Sequence, residues 1–296
     1  MSDTHDLHNI LEDVLPALRS FCIGEFGIAL GGSYAKGLND TLSDVDIYVF
    51  AHEILPCQGR TEKLMQKSDQ FTKITSWGAD SVFVEAGTDF WYVGRKIECW
   101  LRNIQRIEET IQACRAGQIG RDYIYWTVMG FYNYTALSDL RVMQVVDDPY
   151  GIMARWKTVI ADYSARLQEA IIRRYMAEAR FWPENFHYRS AIERTDTIYT
   201  CGIVQQVVYA LIQVVFALNR VYFPGEKKIT ESLKHLAIQP QAFGQRIRNL
   251  VYPGHAGDVQ HLHAQREALS RLVNEVEQLT KNEGVLPLQR ESSSPG

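Results

Sequence analysis

Hydrophobic residues change their spacing along the chain, and the changes mark out its first elements. Helical spacing comes first, among six apolar positions: Leu7, Ile10, Leu11, Val14, Leu15 and Leu18. This spacing predicts an amphipathic helix. Residues 27–33 form a short apolar run that ends at two glycines and a serine, which predicts a strand leading into a tight turn. Residues 45–51 predict a second, largely buried strand.

The middle of the chain alternates between strand and helix patterns. Residues 90–93 and 96–101 predict two strands, and Gly94-Arg95 between them indicates a hairpin. Helical spacing returns over residues 104–114, and the aromatic-rich stretch 123–137 predicts another helix. Residues 141–146 predict a last strand, which a turn at 147–151 closes.

Strand patterns nearly disappear after this turn. Residues 152–180, 192–218 and 262–279 each predict a helix. We therefore place a domain boundary near residue 148, with one domain at 1–148, a helical domain at 149–285 and a disordered, serine-rich tail at 286–296.

Composition narrows the functional classes. Lys and Arg total 31 against 35 Asp and Glu, a net charge of −4, which argues against general binding to nucleic acid or to an anionic membrane. The five cysteines are scattered, so we expect no zinc site or disulfide framework and a cytoplasmic location. Residues 203–218 are apolar but too short for a membrane span, and we interpret them as a buried helix. The oligomeric state stays open.

One group of residues has the composition expected of a catalytic site. Gly31-Gly32-Ser33 is followed, after a spacer of ten residues, by Asp44-Val45-Asp46. Glycines let a backbone approach a phosphate closely, and a serine at a helix start presents its hydroxyl and N–H groups to an anion. Lys36 adds a positive charge nearby. Asp44 and Asp46 lie two apart on a predicted strand and so share a face, where their oxygens suit Mg²⁺.

Glu98 is the candidate third acid. It lies in a predicted strand whose core-facing residues are Ile97, Cys99 and Leu101. The opposite face then carries Lys96, Glu98, Trp100 and Arg102. On a sheet that also holds the two aspartates, Glu98 can reach the same cleft. Glu85 and Asp89 are the rival acids.

The Gly32-Ser33 and Asp44-Val45-Asp46 motifs, with their spacing, resemble the signature of the polymerase-beta-type nucleotidyltransferase superfamily. The helical second half and the length are similar to the aminoglycoside adenylyltransferases that modify streptomycin and spectinomycin. The resemblance implies an α+β fold, in which an N-terminal mixed sheet with flanking helices precedes an all-α helical bundle. It also implies that Gly32 and Ser33 hold a triphosphate and that Asp44 and Asp46 bind magnesium. Glu98 would be a metal ligand, a general base or both.

The helical domain offers a weaker match. Pro224-Gly-Glu-Lys-Lys228 precedes a helical stretch, and residues 248–254 follow it. By resemblance, Lys228 and Tyr252 contact the nucleotide, with Lys227 an equal contender. The implied reaction transfers AMP from ATP, with two Mg²⁺ ions, to a hydroxyl of a small molecule such as an aminoglycoside antibiotic.

Other interpretations stay open. Antitoxin-like enzymes that attach AMP to a protein carry the same motif spacing, and a nucleotide-binding module without transferase activity would also use it. A nucleic-acid polymerase is disfavoured by the acidic balance of charges. Glu184, Glu193 and Asp196 suggest an acidic acceptor pocket, although ordinary acids on a helix surface are the favoured interpretation.

Overall fold

The computed structural model describes residues 2–37, 39–40, 43–78, 85–124, 127–254 and 257–286. Most of the predicted tail lies outside these ranges. The chain forms two compact units. The first comprises residues 1–113, 120–126 and 130–162, and the second comprises 114–119, 127–129 and 163–296. The domain bounds inferred from the sequence stay a prediction.

The first unit contains a sheet and the helices that accompany it. Its elements are, in chain order, α1 (Ser2–Arg19), β1 (Cys22–Leu30), α2 (Gly32–Ala35), β2 (Val45–Ile54), α3 (Cys57–Lys67), β3 (Phe71–Gly78), β4 (Ala86–Tyr92), β5 (Arg95–Asn103), α4 (Ile104–Arg115), β6 (Arg121–Asp122), β7 (Phe131–Tyr132), α5 (Asn133–Val142), β8 (Gln144–Asp147) and α6 (Ile152–Val159). The last two residues of α4 belong to the second unit.

Six strands form a mixed sheet in the order β3-β4-β5-β2-β1-β8. β2 and β5 are parallel, and the other neighbours are antiparallel. Alternate residues of β1, β2 and β5 pack under α1 and α3, with Val14, Ile47, Leu64 and Ile97 all fully buried in this core. The opposite face of β2 and β5 is left for polar and aromatic side chains.

The second unit is helical within its described residues. Its helices are α7 (Ala165–Phe181), α8 (Phe186–Glu193), α9 (Thr197–Leu218), α10 (Ile229–Leu233), α11 (Phe243–Val251) and α12 (Val259–Asn282). α9 contacts α7, α8, α11 and α12 and forms their common core. By length and composition α9 alone, among the described helices, is apolar enough to cross a membrane, yet 72% of its most apolar window is buried within the structure. The α+β class, a mixed sheet followed by a helical region, is thus confirmed.

Several predicted elements have different bounds. The hairpin turn is Val93-Gly94, both with positive φ, one residue earlier than expected. The predicted helix over 123–137 is wrong, because β7 lies within it and α5 begins only at Asn133. The predicted helix 152–180 is two helices, since Ser164 accepts a hydrogen bond from Leu167 N and starts α7. Asp196 divides the predicted helix 192–218 in the same way, because its side chain accepts a hydrogen bond from Tyr199 N and starts α9.

Candidate functional site

The glycine-serine turn (Gly31, Gly32 and Ser33) packs directly against β2. Gly31 N donates to Asp46 O at 2.8 Å. Gly32 has a φ of +57°, and a Cβ there would lie 1.7 Å from Asp46 Oδ2. A Cβ on Gly31 would lie 2.4 Å from the Tyr48 ring. A side chain at either glycine would therefore have to displace Tyr48 or Asp46, and at Gly32 it would also meet backbone strain. Ser33 follows, half-buried, in the single turn of α2.

Three carboxylates form a row across neighbouring strands, which we call the acid row: Asp46, Glu98 and Asp89. Asp46 is the parallel register partner of Glu98, and Glu98 is the antiparallel partner of Asp89. Register partners place their side chains on the same face of a sheet. The alternation expected for β5 is observed, because Ile97, Cys99 and Leu101 are buried in the core while Glu98 is half-buried.

Lys96 joins Asp44 to the acid row. Its Nζ donates to Asp44 Oδ2 at 3.0 Å and to Glu98 Oε1 at 2.5 Å. These hydrogen bonds, to Glu98 first and Asp44 second, raise the pKa of Lys96 above its ordinary value. The ammonium is thus charged throughout the physiological range. The sequence placed Lys96 on the same face as Glu98 but gave no sign that it also reaches Asp44.

The donor chemistry of Asp44, Asp46 and Glu98 fits Mg²⁺, since every available ligand is a carboxylate oxygen. The spacing differs from that of a formed metal site. Within the described ranges, no group of three His, Cys, Asp or Glu side chains lies close enough to hold a metal ion. The ammonium of Lys96 is instead bonded to two of the three acids.

The two rival acids have different surroundings. Both carboxylate oxygens of Glu85 accept from Asn103 N, each at 3.1 Å, so Glu85 stabilises the end of β5. Asp89 accepts from Trp77 Nε1 at 3.2 Å and belongs to the acid row. Desolvation by burial, with a contribution from the charge of Glu98, raises the pKa of Asp89. Asp89 is therefore the rival acid that lies at the site.

Aromatic rings lie in the next row on the same face. Tyr48 and Trp100 are register partners whose rings stack with centroids 6.4 Å apart, and Trp77 meets Trp100 edge-on at 5.4 Å. Among the described residues, no hydrogen-bond partner exists for the buried Nε1 of Trp100 or for Nη1 of Arg102, which is 5% exposed. The sequence predicted the face on which Trp100 and Arg102 lie, but it did not reveal their burial.

Asp139 on α5 is a further acid that sequence reasoning missed. Burial raises its pKa to about 6. The charges of Arg102 and Lys36 act in the opposite direction, and that of Asp46 adds to the rise. Lys36 itself is exposed at the C-terminal end of α2.

The remaining candidates belong to the second unit. Lys227 and Lys228 are exposed, and Lys228 starts α10 with a φ of +56°. The neighbouring Glu226 accepts from Val128 N and Met129 N and fixes this loop. Tyr252 is 84% exposed at the end of α11. Nucleotide contacts by Lys228 and Tyr252 stay a prediction.

The acids suggested for an acceptor pocket have structural partners. Glu193 bonds His263 at 2.8 Å, and Glu184 lies 3.4 Å from Arg266. Asp196 caps α9. These contacts agree with the interpretation of ordinary acids on a helix surface.

Comparison with known proteins says little about the family or function of this chain. A family model described as "Domain of unknown function (DUF4037)" matches residues 132–228. No curated protein matches the chain. A crystal structure of a nucleotidyltransferase-like protein from Exiguobacterium sibiricum matches at 9% identity with a TM-score of 0.43, covering 88% of this chain and 72% of that one. At these values the similarity transfers no function to this chain.

Proposed function

We propose that this protein is a magnesium-dependent nucleotidyltransferase that transfers AMP from ATP to a hydroxyl of a small molecule, with an aminoglycoside antibiotic as the first acceptor class to test. The observation that carries the proposal is the register pairing of Asp46 with Glu98 beside the glycine-serine turn. Carboxylates that can hold Mg²⁺, beside a turn whose N–H groups can contact a phosphate, are the kind of groups that phosphoryl-type transfer uses. Nucleic acid and membranes are not among the proposed partners.

Asp44, Asp46 and Glu98 are the residues that would hold magnesium, in one or two ions. When bound, magnesium neutralises charge on the triphosphate and on the departing pyrophosphate. The chain supplies the positions of the groups around it. Backbone N–H groups of the glycine-serine turn are proposed to contact a phosphate, and the Ser33 hydroxyl to donate a hydrogen bond to it.

Glu98 is the proposed general base. Its carboxylate accepts the proton of the acceptor hydroxyl as that oxygen forms a bond to the α-phosphorus of ATP. The bond between the α-phosphorus and the bridging oxygen breaks, and pyrophosphate leaves. Lys36 is proposed to contact the nucleotide. Most of the acceleration in such reactions comes from positioning and electrostatics.

Pyrophosphate release tests the proposal. The purified chain is incubated with each nucleoside triphosphate, Mg²⁺ and a panel of aminoglycosides. We expect release with ATP and at least one acceptor, and a fall of about 100-fold or more in kcat/KM for Asp46→Asn and Glu98→Gln. Glu53→Gln is the matched control, because Glu53 is an exposed carboxylate on the same strand as Asp46.

Absence of release with every nucleotide and every aminoglycoside, by protein that is folded, would contradict an aminoglycoside as the acceptor. Labelled ATP that marks a protein in a lysate, with the same dependence on Asp46 and Glu98, would reassign the acceptor to a protein. If Glu53→Gln and Glu98→Gln lower kcat/KM equally, the loss of activity is not specific to the proposed site.

A further inference from the structure

Lys96 occupies a position between acids that the proposed function assigns to a cation. Its ammonium bonds Asp44 at 3.0 Å and Glu98 at 2.5 Å. Asp44 immediately precedes β2, and Glu98 lies on β5, so the lysine links the two parallel strands. A single positive charge thereby offsets carboxylates that would otherwise repel one another across the strand pair.

The bonds of Lys96 have a direct consequence for metal binding. A divalent cation that takes Asp44 Oδ2 and Glu98 Oε1, the two oxygens that Lys96 bonds, must displace the ammonium, and like charge opposes a cation that binds the neighbouring oxygens while the ammonium stays. The Lys96 side chain is 36% exposed and ends a flexible stem, so it can turn away while β5 stays in place. A triphosphate that arrives with the metal would give the displaced ammonium a new anionic partner.

We propose that Lys96 is an internal counter-ion that holds Asp44 and Glu98 in the metal-free protein and leaves them when a divalent cation binds with its nucleotide. The inference rests on the proposed function, since it concerns the same site. It predicts that the protein alone binds divalent cations weakly. The phosphate chain then promotes metal binding by taking over the lysine, which is a coupling between two ligands.

Mn²⁺ alone is the probe, and the full chain without nucleotide is the sample. Binding is followed by the loss of the free Mn²⁺ signal in electron paramagnetic resonance. Lys96→Met removes the charge and keeps an unbranched side chain that is one atom shorter. We expect it to bind Mn²⁺ at least about tenfold more tightly than the wild type, a change typical of groups that act on metal ligands. Lys96→Arg keeps the charge and should bind as weakly as the wild type.

A second readout separates this role from a merely structural one. Without the ammonium, repulsion among the acids should lower the melting temperature of Lys96→Met, and Mn²⁺ should restore it. Asp46→Asn in the same background should remove both the tight binding and the restoration. If Lys96 only supported the fold, Mn²⁺ would not restore the melting temperature of Lys96→Met.

Equal Mn²⁺ affinity of the wild type and Lys96→Met would overturn the inference, as would a failure of both to bind. The proposed transferase is judged independently, by pyrophosphate release from ATP. Tight binding by Lys96→Met together with no release by the wild type would support the counter-ion and reject the transferase. Pyrophosphate release by the wild type, together with no gain in the Mn²⁺ affinity of Lys96→Met, would support the transferase and reject the counter-ion.

Discussion

At the scale of single residues, Gly32 has two separate reasons to be glycine. Its φ is +57°, a region in which a side chain costs about 1 kcal/mol or more. A Cβ would also overlap Asp46 Oδ2. Gly37 has a similar φ of +65° but no described atom within 4 Å of its Cβ position. Both glycines therefore carry the cost of backbone strain, but only a side chain at Gly32 also has to displace Asp46. Comparing substitutions at the two positions separates these two costs.

We expect Gly32→Ala to destabilise the protein by about 1–3 kcal/mol more than Gly37→Ala, because only the first must move a carboxylate. Urea denaturation of both variants gives the difference. Gly32→Ala should also lose pyrophosphate release, while Gly37→Ala keeps it. Similar losses of stability and activity in the two variants would mean that Asp46 moves aside at little cost.

Residue chemistry was the part of the site most readily predicted from the sequence. Motif spacing singled out Asp44 and Asp46, and simple alternation put Glu98 on the face opposite the core. The bridge from Lys96 to Asp44 could not be predicted in the same way. It depends on parallel pairing of β2 with β5, a contact between residues 52 apart in the chain.

At the scale of elements, Arg60 joins α3 to the strands beside it. It is 3% exposed, and its guanidinium donates to Thr88 Oγ1 at 2.8 Å and to three backbone carbonyls. These carbonyls belong to Leu55, Trp77 and Gly87, at 2.7, 2.9 and 3.1 Å. One planar group therefore satisfies acceptors from the β2–α3 connection, β3 and β4.

Arg60→Met should lower the free energy of unfolding by about 3 kcal/mol or more, because it leaves one buried and two partly buried carbonyls without this donor. Arg60→Lys should recover less than half of the loss, since one ammonium cannot reach the same spread of acceptors. Lys63→Met, an exposed position on α3, is the control. Urea denaturation measures all three, and full recovery by lysine would show that only the charge matters.

One of the elements that the sequence missed lies at the edge of the six-stranded sheet. β3 is an edge strand, mostly exposed or half-buried, with an irregularity where Lys73 has positive φ. Such a strand lacks the apolar alternation on which strand prediction depends. Membership of Asp89 in the acid row also escaped prediction, because the one-residue shift of the hairpin turn decides which residue faces Glu98.

At the scale of the whole molecule, α9 shows how length and composition can mislead. The sequence predicted a helix over 192–218 with a buried apolar run of 16 residues at 203–218, and α9 in the structure has 22 residues. The part of α9 before the apolar run includes Ile198, which is 87% exposed, while Leu211 near the middle is fully buried. Burial against four neighbouring helices accounts for the apolar composition.

Asp139 makes the stability of the molecule depend on pH. Burial raises its pKa from 3.8 to about 6, so the folded state holds this proton more tightly than the unfolded state. The stabilisation is complete below the ordinary pKa and is lost as the pH rises through about 6. At higher pH, folding must bury a charged carboxylate.

Asp139→Asn should therefore stabilise the protein at about pH 8, by at most about 3 kcal/mol, and have little effect near pH 4. Thermal unfolding across this range measures the difference. Asp69→Asn, at an exposed turn, is the control and should not show the same dependence on pH. An equal gain at both ends of the range would indicate better packing rather than removal of a charge.

The parallel pairing of β2 with β5 has a consequence for how this protein can evolve. Asp46 and Glu98 are aligned by their own strands, whatever the length of the segment that joins them. The exposed turn at residues 69–70 can gain or lose residues without disturbing that alignment, whereas one residue inserted in β5 before Glu98 would turn it toward the core. Insertions and deletions can therefore accumulate at this turn while the pairing of Asp46 with Glu98 is inherited unchanged.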